Sequence, residues 1–83
     1  MQPVAIEFPE EVLLATGQSR AEFVREAKLL LAARLFERGR LSSGKAAEMA
    51  DMGHADFLFA VSRMGMDVAD LDAEELRREF ADA

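Results

Sequence analysis

Ser19-Arg20-Ala21-Glu22 and Gly39 bracket the stretch that most constrains how this chain can fold. A serine followed three residues later by glutamate is a capping box: the hydroxyl accepts from a free N–H of the helix start, and the carboxylate reaches back to the serine N–H. Glycine adopts the left-handed conformation that ends a helix. The spacing therefore predicts one long helix from Ser19 to about Arg38. Val24, Ala27, Leu31 and Leu35 lie on one face, widened by Phe23 and Leu30, and Leu29, Ala32 and Phe36 lie on another. Segment 29–36 is thus apolar nearly all round, and a helix of that kind is buried on both sides. A chain of 83 residues fits one domain and holds little material for a second cover. The C-terminal helices or a second copy could supply it, and the shortage of chain favours a second copy.

No cysteine is present, so no disulfide or thiolate ligand is available, which suits a reducing cytoplasm. Met1 to Phe8 has neither the basic start nor the apolar core of a signal peptide. Leu29 to Ala33, the longest apolar run, is far short of the ~20 residues that cross a bilayer. A soluble, cytoplasmic protein is expected.

Around the long helix, the chain reads as four pieces of one mainly α domain. Residues 1–18 hold a short β-strand, with Val4, Ile6 and Phe8 alternating with Ala5 and Glu7. Pro9 ends the strand and opens a short helix with Glu10 and Glu11 in its first turn, and Gly17 stops it. Residues 19–40 are the long helix. In residues 41–65, Ser42 or Ser43 caps a helix from Gly44 to Ala50, Asp51-Met52-Gly53 turns, and a second helix runs from about His54 to Met64 before Gly65. In residues 66–83, Met66 to Val68 reads as a short extended piece, and Asp72 caps an acidic last helix with Ala73, Leu76 and Phe80 on one face.

The 41–65 piece carries the information. A helix-turn-helix needs a small residue where two short helices cross, and Ala47 fits. Ala46, Ala50, Met52, Phe57 and Ala60 or Val61 would pack the pair onto a third helix. The turn needs a residue that tolerates positive φ, either Gly53 or Asp51. A plain helical hairpin has similar spacing and remains the alternative. In a helix-turn-helix the second helix enters the major groove by its N-terminal residues. The candidates for DNA contact are therefore Ser42, Ser43, Lys45, His54, Ala55, Phe59 and Arg63, with Asp56 and Ser62 on the same helix. Only Arg63 on that helix is a cation, Asp56 would repel phosphate, and Leu58 and Phe59 resemble protein contacts. The candidates for a partner or dimer interface are Leu29, Ala32, Phe36, Leu71, Leu76 and Phe80.

Charge bears on the same choice. The net charge is −6, unevenly spread: residues 1–18 carry −3, 19–40 carry +3, 41–65 carry −1 and 66–83 carry −5. An acidic whole disfavours unaided nucleic-acid binding, which draws its affinity from clustered Lys and Arg. The acidic tail suits a basic protein partner or is a solvated end.

Leu35-Phe36-Glu37-Arg38-Gly39-Arg40-Leu41-Ser42-Ser43-Gly44-Lys45-Ala46-Ala47-Glu48-Met49-Ala50, followed by Phe57-Leu58, resembles the small prokaryotic uncharacterised protein family 0175. The resemblance covers roughly residues 6–76 and is densest over 32–58, and its Leu-Ser-x-Gly-x-Ala-Ala block is its most specific part. It implies a helix-turn-helix preceded by a long Ala/Leu/Arg helix and a strand-plus-proline start. It also implies an antitoxin-like role: neutralising a PIN-domain ribonuclease toxin and repressing its own operon. Asp51 stands where the family usually has glycine, and His54 where a serine cap is common. The N-terminal strand followed by helices is also similar to ribbon-helix-helix antitoxins, in which paired strands of a dimer read the major groove. Here the outward residues would be Ala5 and Glu7, and a glutamate is a poor groove reader, so the strand is kept as a dimer or sheet element.

Enzyme chemistry, metals and cofactors are not expected. His54 is the single histidine and cannot build a zinc site without cysteines; it reads as a cap or surface residue. An EF-hand beginning at Asp70 would need glycine at Glu75 and glutamate at Ala81. No phosphate-cradling glycine loop occurs, and the five methionines read as core filler. Two other functions stay open beside the antitoxin reading: a transcriptional regulator without a toxin, and a homodimeric adaptor.

Overall fold

The chain's capping signals map directly onto its helices. The computed structural model describes residues 2–66. Among them are four helices: α1 (Glu11–Thr16), α2 (Arg20–Glu37), α3 (Ser43–Met49) and α4 (His54–Arg63). Ser19 caps α2 as its spacing predicts: its hydroxyl accepts from the Glu22 N–H at 3.1 Å, and the Glu22 carboxylate accepts from the Ser19 N–H at 3.0 Å. The Ser19 backbone N–H, and after it the Ser19 side chain, hold the Glu22 carboxyl below its ordinary pKa of 4.5. Ser42, not Ser43, caps α3, accepting from the Lys45 N–H at 3.2 Å. Helix α1 starts two residues after Pro9, whose carbonyl accepts from Val12 at 3.1 Å.

All four helices end on one device, a residue of positive φ just past the last turn that lets the following N–H groups bond back to free carbonyls. At α2, Gly39 (φ 72) donates to Phe36 and Arg40 donates to Leu35, at 3.0 and 2.8 Å. At α3 the residue is Asp51 (φ 58), the one described residue other than glycine with positive φ. Asp51 donates to Glu48 and Met52 donates to Ala47, at 3.1 and 2.9 Å. Of the two residues the sequence left open for the turn, Asp51 therefore takes the left-handed position; Gly53 has φ −65 and caps α4.

The core formed by the described residues is rich in alanine. Ala32, Ala33 and Phe36 of α2 meet Ala46, Ala47 and Ala50 at the α3 end and Phe57 and Val61 of α4. Small side chains at 46, 47 and 50 let the helices approach closely. Phe36 and Phe57 meet edge to face with centroids 5.8 Å apart, a pairing that adds about 0.5–1.5 kcal/mol beyond area burial. Met52, Leu29, Leu41 and Leu58 flank this cluster. Val61 rather than Ala60 is the fully buried residue of its pair.

Two expectations are corrected here. No strand occurs among the described residues, and Gln2 to Phe8 carry no regular structure. A strand needs a second strand to take its N–H and C=O groups, and the described part of one chain offers none. Phe8 instead packs edge to face on Phe23 of α2, with centroids 5.2 Å apart. The second correction concerns the long helix. Within one chain segment 29–36 is buried on one side: Ala32 and Phe36 are in the core, while Leu30 and Leu31, on the side the sequence assigns to a second cover, are 49% and 40% exposed. Ala32 and Phe36, offered as interface residues, are spent on packing α2 against α3 and α4, and Leu29 is half-buried beside them. The extended piece at Met66–Val68, the acidic last helix, and the interface candidates Leu71, Leu76 and Phe80 lie wholly or mostly outside the described residues.

Candidate functional site

The turn between α3 and α4 is fixed from both sides. Asp51 leaves α3 in the left-handed conformation and extends its carboxylate to Lys28 of α2, 2.7 Å away. Gly53 starts α4 with extended backbone (ψ 155). A Cβ there would sit 3.4 Å from Asp56 Oδ2, an ordinary contact, so space does not require glycine at this position. Asp56 lies in the first turn of α4, where the helix dipole favours an anion.

The seven residues expected to touch DNA divide into two groups. Ser42 is spent on capping α3, although its side chain stays at the surface. Ser43 is fully buried, and its Oγ lies 2.6 Å from Nε2 of half-buried His54. This bond ties the first residue of α3 to the first residue of α4 across the turn. Ser43 therefore cannot reach a phosphate, and His54 serves the junction between the helices. The remaining four are exposed: Lys45, Ala55, Phe59 and Arg63. Lys45 is within 3.4 Å of Glu48 on its own helix. Arg63 lies over the Phe59 ring, 5.8 Å from its centroid. Phe59 is 66% exposed, the most open large apolar side chain of the helix pair.

The outer surface of the pair thus presents an aromatic ring with a guanidinium on it, and its cations are spread out: Lys45 beside Glu48 on α3, Lys28 of α2 on Asp51, and Arg63 over Phe59. A shallow cleft beside the ring is bounded by Asp51, Met52, Gly53, Asp56, Phe59 and Arg63. Phosphate backbones bind clustered cations; this surface instead has the aromatic–arginine composition of protein-interface anchors. Sequence reasoning missed the Ser43–His54 bond. The one available signal was a small polar residue and the only histidine each placed at the start of a short helix.

Among the described residues no group of three or more His, Cys, Asp or Glu stands close enough to hold a metal ion, and no helix is long and apolar enough to cross a membrane.

The family described as "Uncharacterised protein family (UPF0175)" matches residues 1–83. A relative named "UPF0175 protein" from Archaeoglobus fulgidus is 38% identical over 77 residues, which cover 93% of this chain and 85% of the relative. No solved structure matches the chain.

Proposed function

The chain belongs to uncharacterised protein family UPF0175, and from that premise we propose that it is a helix-turn-helix protein that works as an antitoxin, binding and neutralising a PIN-domain-type ribonuclease. The carrying observation is the outer face of α4, where Phe59 is exposed with Arg63 over its ring. Burying such a pair against a protein removes a large apolar surface from water and leaves the guanidinium to meet a carboxylate or carbonyl. The ribonuclease as partner comes from the family resemblance. No catalytic step is assigned to the chain.

Co-expression with a small ribonuclease encoded beside its gene tests the reading. A stable complex with loss of ribonuclease activity is expected, and Phe59→Ser should weaken it at least about tenfold, as hot-spot aromatics do. A ribonuclease that stays active and unbound at equal concentration would reject it.

DNA binding with repression of its own operon is the second reading. It is favoured by exposed Ala55 in the first turn of α4 and by Lys45 at the surface of α3. Affinity would have to come mostly from phosphate contacts by Lys45 and Arg63, so retardation of operator DNA should fall steeply with salt. It should disappear in Lys45→Ala/Arg63→Ala. Unchanged retardation would remove both residues from the interface.

A further inference from the structure

Nine large apolar side chains are exposed among the described residues, and six of them line one groove. Val4, Ile6 and Phe8 of the N-terminal arm form one wall, and Val24, Leu30 and Leu31 of α2 form the other. The groove encloses about 940 Å³. Scattered exposed leucines need no explanation, but a contiguous apolar channel between an arm and a helix marks a surface that something covers.

We propose that a second copy of this chain covers it, the two arms pairing as antiparallel strands over the two α2 faces. The first argument is register. Val4, Ile6 and Phe8 alternate with Ala5 and Glu7, so a strand over 4–8 places the three apolar residues on one face. No backbone hydrogen bond is made by Gln2 to Phe8 among the described residues. A two-fold axis through Ile6 sets Ile6 against Ile6, Val4 against Phe8 and Ala5 against Glu7. No like charges then face each other, which would be unfavourable. The same axis sets Pro3 against Pro9, so both ends of the ladder stop at residues that cannot donate to it. The arm is thus complementary to itself and sterically bounded at five residues.

Charge gives the second argument. Residues 1–18 carry −3 through Glu7, Glu10 and Glu11, and residues 19–40 carry +3. Within one chain only Glu10 is paired, with Arg20 at 2.9 Å; Glu7 and Glu11 join no ion pair among the described residues. An arm that crosses to the other copy carries Glu11, just past the strand, toward that copy's basic helix, the opposite-sign meeting that fixes orientation, while Glu7 lies on the strand's outer face. The proposal concerns the arm and α2, so it stands whether or not α4 binds a ribonuclease.

The test uses the full chain, whose lack of cysteine allows a single reporter. Sedimentation equilibrium at high micromolar concentration should give a dimer. Ile6→Cys, treated with a short bis-maleimide, should form covalent dimer roughly a hundredfold faster than Leu14→Cys, because pairing raises the effective concentration of the two thiols to the millimolar range. Leu14 is the control because it is 87% exposed and lies outside the groove. Ile6→Glu should sediment as a monomer with unchanged helical circular dichroism. A wild-type monomer at high micromolar concentration overturns the proposal and leaves the groove to the chain's own C-terminal segment or to another protein. A dimer in which Ile6→Cys cross-links no faster than Leu14→Cys overturns it equally.

Discussion

The Lys28 ammonium lies 2.7 Å from the Asp51 carboxylate and so joins the long helix to the one described left-handed residue that is not a glycine. Both side chains are largely in water, so the pair contributes at most about 1 kcal/mol. The backbone conformation is the larger effect, because an L residue in that region costs about 1–2 kcal/mol more than glycine. Asp51→Gly should therefore leave urea stability within about 1 kcal/mol of the wild type, with relieved strain offsetting the lost ion pair. Asp51→Val cannot adopt the position easily and should lower stability by about 2 kcal/mol or more. Equal loss in both variants would mean that the ion pair, not the conformation, holds the turn.

The close approach of the helices makes a second prediction. Ala46 is fully buried where α2, α3 and α4 meet. Ala46→Leu adds volume with no space to receive it and should cost about 1–3 kcal/mol. Phe57→Ala removes half of the Phe36–Phe57 pair and opens a cavity, at about 3–5 kcal/mol. In so alanine-rich a core the second variant should be largely unfolded at room temperature by circular dichroism. Ala46→Leu with wild-type stability would mean the three helices do not meet at that residue.

Much of this architecture was legible because its signals are local. The capping box at Ser19–Glu22 and the glycines at 17, 39 and 65 act within a few residues, and they fall where the sequence places them. What failed depends on distant partners. The two apolar stripes of α2 look alike in sequence, and only the position of α3 decides that Ala32 and Phe36 turn inward while Val24, Leu30 and Leu31 stay open. The arm reads as a strand because alternation reports a face, but a ladder also requires a partner strand. At the site, exposed Phe59 and Arg63 were readable from helical spacing. Ser43 and His54, eleven residues apart, were given to DNA because nothing local reveals that two helix starts meet.

The Ser43–His54 bond gives the third prediction. Ser43 is buried, and its hydroxyl holds the start of α4. Ser43→Ala should cost about 1–3 kcal/mol, since a buried bond is removed and the imidazole loses a partner. If Ser43 served DNA instead, the same substitution would leave thermal unfolding unchanged.

Acid sensitivity follows from Glu22. Its carboxyl is held below 4.5, first by the Ser19 backbone N–H and then by the Ser19 side chain. A depressed carboxylate gives stability that is fully present above the unfolded pKa and is lost as pH falls through the lower folded value. Helicity of the wild type should therefore decline below about pH 4.5. Glu22→Gln should flatten part of that decline. Ser19→Ala should cost about 1 kcal/mol at neutral pH through the lost cap, and it should shift the Glu22 titration upward by NMR. A Glu22 titration that stays in place in Ser19→Ala would assign the whole shift to the Ser19 backbone N–H, which alanine keeps, and none of it to the hydroxyl.

Phe59 and Arg63 separate the two partners proposed for α4, because each weights the pair differently. A protein partner uses the ring as an anchor, so Phe59→Ser should weaken capture of the ribonuclease far more than Arg63→Gln does, by about 2 kcal/mol or more. DNA uses the charge, so Arg63→Gln should weaken operator binding and reduce its salt slope by about one, while Phe59→Ser should change the slope little. Both variants alter exposed side chains, so circular dichroism and thermal melting should match the wild type. Arg63→Gln dominating in both assays would mean that the exposed ring is not an anchor and would remove the observation on which the protein-binding reading rests.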